Sequence, residues 1–474
     1  MLSDFTERFR AALRIKTDWP RNAKAGDTAA EAPLVHFQNF LAETYPAFHQ
    51  CAERWVMSPY SVAYRWPGMQ WQPGMQPAGK SADNGAAGTA DNAALPALLL
   101  GHYDVVPAET SKWSVDPFGA EVKDGYIYAR GALDMKSIVM AMMESAEDLC
   151  RRGFKPGRDV WIILGGDEER TGILGAMETA KWLREKGMRF SFILDEGTPV
   201  AKDQIKGANV PLALIGIEEK GYLSLDLTVD QKPGHASQPP EQQAAAILAR
   251  ALLRLSRRPF PWRLTPAVEA FFKKLSLQTP GINGFVMKHA RLLGKLFFKA
   301  AAASPATRAL LRTTVAMTQL EGSAADNVLP SSVRSVINLR LLPPWTVDTA
   351  IKRIKEIIAD ERVSVTVHGL GTDPVKAAPD QAATACQVTQ NCPGWKELNA
   401  AVEKAFKDIP ALPFLMLATT DSRHYKELSP YIFRFSPQVL NPEELSRVHG
   451  HDERISLENL DHCLRFYGAL MEQL

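Results

Sequence analysis

Four apolar runs in this chain of 474 residues end in residue types that bind metal ions. His102 and Asp104 close LLLGHYD, Asp134 lies in ARGALDMK, Asp167, Glu168 and Glu169 follow LGG, and Asp195 and Glu196 end FILDEG. In an open α/β sheet, ligands collect beyond the carboxyl ends of the strands, so polar residues at the ends of apolar runs are the first candidates for chemistry. One imidazole among several carboxylates is a hard, oxygen-rich donor set suited to Zn²⁺ or Mn²⁺, and two ions can share it. A single aspartate at a strand end is ordinarily a helix cap or a turn residue. Four runs ending alike argue against that explanation for the set. Adjacent Glu168 and Glu169 cannot point the same way from an extended segment, so one can bind metal while its neighbour faces a substrate as a base.

These residues need a scaffold, and length alone predicts one large α/β unit or two domains. Hydrophobic residues at 46% and charged residues at 23% are ordinary for a globular chain with a true core, which excludes general disorder. Fifty-five Lys and Arg against 53 Asp and Glu leave +2, too balanced overall to predict a nucleic-acid or anionic-membrane partner. The start, MLSDFTERFRAALRIKTDWP, lacks an apolar run of signal-peptide length, and no stretch of 18 apolar residues predicts a membrane span. Five scattered cysteines without a C-x-x-C pair argue against a disulfide framework or a thiolate zinc site, so the expected location is the cytoplasm.

The first seventy residues read as helical, then SVAYRWPG as strand and turn. The stretch from Pro73 to Pro96 is too poor in large apolar residues to pack and reads as a mobile surface loop. ALLLGHYDVV, WIILGGDEE and FSFILDEG are short continuous apolar runs, as expected for strands buried on both faces. The helical segments SIVMAMMESAEDLCRRG and AMETAKWLREKG separate them, which predicts βαβ units. After Gly221, YLSLDLTVD alternates as a half-exposed strand does, and a different sheet begins. Residues 250–312 form a basic, apolar insertion, read as a packed helical pair with a solvated Lys/Arg face rather than a membrane-surface helix, given the overall neutrality. VRSVINLRLL, VDTAIKRIKEIIAD and VSVTVHGL complete a small α+β unit, and βα texture returns from about Asp373, with YIFRFSP central and a C-terminal helix from Leu457. The expected fold is therefore α/β: a catalytic domain with a mostly parallel sheet (1–220 and 373–474) interrupted by a smaller α+β lid (221–372).

HYDVVP, GALDMK, GGDEE, LDEG, GHASQPP, DNVLP with NLRLLP, and VHGHDERI together resemble the ordered motif set of the aminoacylase and carboxypeptidase S type of dinuclear zinc peptidases. They run in that family's order from about residue 98 to 455. The resemblance implies two Zn²⁺ per chain, with Mn²⁺ or Co²⁺ as alternatives. It implies His102, Glu169, Asp195 and His449 as ligands and Asp134 as the carboxylate bridging both ions. His449 is implied rather than His451 because it lies four residues before Glu453, the family's spacing. Asp104 resembles the carboxylate that orients His102 and fixes its tautomer. Glu168 becomes the general base that takes the attacking water's proton and returns it to the leaving amine.

A loop histidine such as His235 is usually just solvated, but the family uses it to stabilise the oxyanion after domain closure or from a partner subunit. Asn327 would contact the oxyanion region and Arg340 would clamp a substrate α-carboxylate. Thr420, Asp421 and Arg423 are further candidates for the pocket. The implied reaction is hydrolysis of an amide joining an acyl or aminoacyl group to an amino acid. GHASQPP, TDSRHY and the long insertion point to the carboxypeptidase S and N-acyl amino acid hydrolase branch, with a small-molecule substrate and a possible homodimer through the lid. A metal-free binding protein would be expected to lose ligands or base, and all are present. A dinuclear phosphoesterase lacks support, since no Gly-rich phosphate loop precedes a helix.

Overall fold

The computed structural model describes residues 2–19, 24–69, 95–205, 208–258, 260–302, 304–323, 325–378 and 392–474. Most of the Pro73–Pro96 stretch lies outside them. The larger sheet has eight strands in the spatial order Glu53–Ser58, Ser61–Trp66, Val160–Gly165, Ala97–His102, Phe192–Ala201, Ile432–Leu440, Leu212–Glu219, Ala411–Met416. The strands carrying the metal-ligand types pair in parallel: Ala97–His102 with Val160–Gly165 and with Phe192–Ala201, and Ile432–Leu440 with Phe192–Ala201. Their carboxyl ends therefore open on one edge of the sheet.

Continuous apolar runs form these strands because each face is covered. Leu99, Ile162, Leu164 and Leu194 face a cluster with Ile138, Met142, Leu398 and Phe466, whereas Leu98, Leu100, Ile163 and Ile193 face Ala176, Ala180 and Leu183. The alternation is the period of two read in three dimensions. Each fully buried Leu or Ile contributes roughly 1.5–3 kcal/mol.

The smaller sheet is antiparallel, in the order Thr314–Glu321, Ser332–Leu341, Gly221–Asp230, Ser364–Val367. Its Leu223, Leu225, Leu227 and Val229 pack under the helices Ala244–Arg257 and Val347–Ile358, which is why YLSLDLTVD alternates. The chain enters this unit at Gly221 and returns past it at Thr372. A Cβ on Gly221 would lie 2.4 Å from the Thr372 carbonyl oxygen, so glycine is what lets the two crossing segments pass.

Three elements differ from the sequence expectation. Glu53–Ser58 is an antiparallel edge strand inside a region read as helical, and only half buried, so ERWVMS carries no clear period. Leu212–Glu219 is a fully buried strand of the larger sheet. The insertion, assigned to the lid by its position in the chain, is seated on the catalytic sheet: Phe271, Phe272, Ala290 and Phe297 cluster with Leu212, Leu214, Leu412 and Phe414. The Phe271 and Phe414 rings are 5.2 Å apart.

Arg434, fully buried on the central Ile432–Leu440 strand, places Nε 2.5 Å from Glu219 Oε2, itself buried. Removing one partner leaves an uncompensated buried charge, at a cost of about 3–5 kcal/mol. Arg434→Leu is expected to lower the melting temperature sharply, and Arg434→Leu with Glu219→Leu is expected to recover much of the loss. A double variant no more stable than the single one, by calorimetry, rules this pairing out as the cause.

Candidate metal centre and substrate cleft

His102 ends its strand almost wholly buried. Its Nδ1 lies 3.0 Å from the Asp104 backbone oxygen and 3.4 Å from Asp104 Oδ1. Its Nε2 points away from the sheet, 3.0 Å from Asp134 Oδ1 and 3.5 Å from Glu196 Oε1. The other oxygen of Asp134 lies 3.0 Å from His449 Nε2, which is also 3.0 Å from Glu169 Oε1. Two donor groups result, His102 with Asp134 and Glu196, and Asp134 with Glu169 and His449, each with its ligand atoms within 4.8 Å of one another. Asp134 belongs to both, as a carboxylate shared by two ions must.

The electrostatics fit cations in these places. Burial works against charge on His102, yet Glu196, Asp104 and Asp134 outweigh it and raise its pKa well above the usual imidazole range. His449 is pushed up to about 10 by its bonds to Asp134 and Glu169. Burial alone would raise Asp134, but the two imidazoles hold it well below the carboxylate range. Burial and the charge of Asp134 push Glu196 up to about 8. Burial and Glu196 likewise raise Glu168. Carboxylates outnumber imidazoles in the cleft, a charge balance that divalent cations would complete. A nitrogen-and-oxygen donor set with three protein groups per ion suits a divalent metal with open positions for substrate.

The loops that hold the donors are built for it. Glu453 is fully buried and accepts from the backbone amides of Leu133 (2.7 Å) and Asp134 (3.3 Å) through one oxygen. Its other oxygen accepts from Arg130 Nη1 at 2.5 Å, while Arg130 Nη2 donates to the carbonyls of His449 and Gly450. The four-residue spacing from His449 to Glu453 thus ties the histidine's loop to that of Asp134. Asp104 does more than face His102: its oxygens accept the backbone N–H groups of Glu168 (3.2 Å) and Glu169 (3.1 Å). The buried Lys136 of GALDMK turns away, donating to the carbonyls of Ala12 and Ile15 and so anchoring the first helix beneath the site.

Several expected residues are placed differently. Asp195 does not point into either donor group. Its Oδ1 accepts from the Glu196 amide (2.9 Å) and its Oδ2 from the Ser422 amide (2.7 Å), and strand alternation sends Glu196 into the site instead. Asp167 is likewise spent on backbone, accepting from Leu174 and Gly175. Glu168 and Glu169 diverge as expected, but from a 3₁₀ turn, Glu168–Arg170, and not from an extended segment. Thr420 is buried with its hydroxyl 3.1 Å from Glu219 Oε2, and the neighbouring Thr419 lines the cleft. His235 and Asn327 meet each other on the exposed rim of the lid, where the Ala236 amide donates to the Asn327 carbonyl at 3.0 Å. Neither is among the residues lining the cleft in this chain. No signal within their own segments marks that separation.

The cleft joins the two units. Glu168, Glu169, Thr171, His449 and Arg423 lie on the catalytic side, with Tyr222, Arg340, Leu370 and Thr372 on the lid side. Arg340 lies over the Tyr222 ring at 4.9 Å. Arg423 donates to the carbonyls of Thr420 (2.9 Å) and Thr171 (2.8 Å) and holds Nη1 3.8 Å from Glu168 Oε1.

The family model described as Peptidase family M20/M25/M40 matches residues 98–473. The chain belongs to this peptidase family. It is a hydrolase of a metal-dependent family. An N-fatty-acyl-amino acid synthase/hydrolase PM20D1 from Xenopus tropicalis is 37% identical over 383 residues, 81% of this chain and 73% of that protein. A probable carboxypeptidase S-like 2 from Dictyostelium discoideum is 31% identical, covering 93% of this chain and 80% of its own length. Among solved structures, the M20 family metallo-carboxypeptidase Sso-CP2 from Sulfolobus solfataricus superposes with a TM-score of 0.68 at 16% identity, covering 99% of both chains. That likeness establishes the two-unit α/β architecture.

The geometry makes Glu196 and Asp195 separable by experiment. Glu196→Ala is expected to lower the bound metal measured by elemental analysis, whereas Asp195→Asn, which keeps an acceptor for a backbone amide, is expected to retain it. Metal lost from the Asp195 variant but kept by the Glu196 variant returns the ligand role to Asp195.

Proposed function

We propose that this hydrolase cleaves the amide of N-acyl amino acids bearing a free α-carboxylate, with long acyl chains among its substrates. The observation that carries the reading is the cleft itself, which sets Arg340 across from Glu168 and the two donor groups. A guanidinium lying over the Tyr222 ring offers a carboxylate two parallel N–H donors, fixing the amino-acid end of a substrate. The lining beyond the metal-side Glu168 and Glu169 has no acid to pair with an α-amine, and Tyr222, Leu370 and Ala418 suit an uncharged acyl group. The second reading, a carboxypeptidase acting on short peptides, is favoured by the carboxypeptidase S-like relative.

Divalent cations, zinc above all, held by His102, Asp134 and Glu196 and by Asp134, Glu169 and His449, would polarise the scissile carbonyl and acidify the attacking water. Glu168 takes the water's proton and delivers it to the departing amine. Its backbone N–H on Asp104 and the nearby Arg423 fix where its carboxylate points. His235 and Asn327, side by side on the lid rim, act as oxyanion donors when the lid closes or when the lid of a second copy presents them. A homodimer through the lid belongs to this proposal.

Glu168→Gln keeps the shape but cannot accept a proton. It is expected to lower kcat by about 10²–10⁴-fold with bound metal unchanged; near-normal turnover removes Glu168 from the role of base. Arg340→Met is expected to raise KM for N-acyl amino acids by about tenfold to a hundredfold while leaving their carboxamide analogues unaffected. An equal loss on both substrates shows that Arg340 does not read the carboxylate. Chelation is expected to abolish amine release and lower the melting temperature, with both restored by added Zn²⁺. Release faster from dipeptides than from N-acyl amino acids favours the second reading.

A further inference from the structure

The charge of this chain is strongly segregated along its length. Residues 257–312 carry eleven Lys and Arg and a single acid, Glu269, whereas the rest of the chain holds 44 basic against 52 acidic residues. A net +2 therefore conceals a segment at +10 and a remainder at −8. The segment is the helical insertion seated on the outer edge of the catalytic sheet.

Its packing leaves a second face uncovered. Phe271, Phe272, Ala290 and Phe297 are consumed by the contact with the sheet. Away from that contact, Leu277, Ile282, Phe285, Leu292 and Leu296 are 76%, 78%, 58%, 83% and 57% exposed. Leu292 and Leu296 flank the kink at Gly294 within Ala290–Ala301, and Ile282 and Phe285 lie three apart on the helix Gly281–Lys288. Exposed Lys288, Arg291, Lys295 and Lys299 are interleaved with them. Glu269 is shared by Lys273 (3.0 Å) and Arg291 (3.5 Å), and among the described residues Lys288, Lys295 and Lys299 have no carboxylate partner.

We propose that this face docks on an anionic phospholipid bilayer, with Leu277, Ile282, Phe285, Leu292 and Leu296 entering the headgroup region and Lys288, Lys295 and Lys299 meeting lipid phosphates. Charge complementarity selects this occupant. Protruding apolar side chains alternating with unpaired lysines match a surface that is apolar at depth and negative above it. Single exposed leucines are ordinary on any surface, but five large apolar side chains exposed between residues 277 and 296 and interleaved with cations are not. No helix among the described residues is long and apolar enough to cross a membrane, so the contact is peripheral. The insertion is also tied to the crossing between the two units: buried Lys220, next to Gly221, donates to the carbonyls of Ala309 (2.8 Å) and Arg312 (2.9 Å) at the insertion's end. A docked insertion would thus hold the catalytic unit at a fixed orientation to the bilayer.

The test is co-sedimentation of the full-length, metal-loaded protein with vesicles of phosphatidylcholine alone or mixed with phosphatidylglycerol. Binding is expected to the mixed vesicles only and to weaken as salt is raised. Lys288→Glu with Lys295→Glu and Lys299→Glu, and separately Leu292→Asp with Leu296→Asp, are each expected to weaken it by at least about tenfold. Lys→Arg at the same three positions is expected to restore it. Unchanged melting temperature and unchanged hydrolysis of a short-chain N-acyl amino acid in solution certify that the variants are folded. Absence of binding to the mixed vesicles, equal binding to neutral ones, or wild-type binding by both variants overturns the proposal. So does light scattering in which the protein dimerises, the Leu292 and Leu296 variant is monomeric, and vesicles are ignored, because the face then belongs to a second copy.

Discussion

Asp134, Glu169 and Glu196 are brought within reach of two imidazoles at the carboxyl edge of the sheet, with the largely buried Glu168 beside them, where like charges repel. Everything else about the catalytic unit follows from holding that arrangement. Burial and neighbouring charge raise the pKa values of Glu168 and Glu196, the direction expected of crowded acids. Cations held there would relieve the like-charge repulsion, so the crowding suits the cluster to metal.

The scaffold restrains the cluster chiefly through backbone hydrogen bonds and buried ion pairs. Glu453 and Arg130 tie the Asp134 loop to the His449 loop, and Asp104 grips the amides of Glu168 and Glu169. Asp195 couples the Phe192–Ala201 strand to the segment of Ser422. Further back, Arg434 and Glu219 lock neighbouring strands together, and Thr420 and Ser422 hydroxyls lean on the same carboxylate. Acids near the centre thus divide into those that face the cleft and those that accept from peptide groups. The second kind positions the first.

That division explains which features were legible in the sequence. Apolar runs ending in His, Asp and Glu revealed the buried strands and the neighbourhood of the site, because burial on both faces writes itself as continuous hydrophobicity. Choosing between Asp195 and Glu196, or between Thr419 and Thr420, requires the phase of a strand or loop, and adjacent residues of similar type carry no phase. ERWVMS carries no strand period because an edge strand leaves its residues half buried or exposed without alternation. The insertion's seat could not be read at all. Phe271 meets Phe414 across 143 positions of chain, and nothing local to either residue encodes the pairing.

The placement of His235 and Asn327 bears on how the site works. They sit on the lid rim because Gly234–His235 pairs with Val328–Leu329, a contact made entirely within the lid. Arg340, on the Ser332–Leu341 strand of the same lid, already faces the cleft. The lid therefore brings Arg340 to the cleft and leaves its own histidine at the periphery. If His235 serves the reaction, it must arrive by rotation about the Gly221 and Thr372 crossing or from another subunit's lid. Either route would delay the last hydrogen-bond donor until substrate is held, so that the oxyanion contact forms only in the closed site.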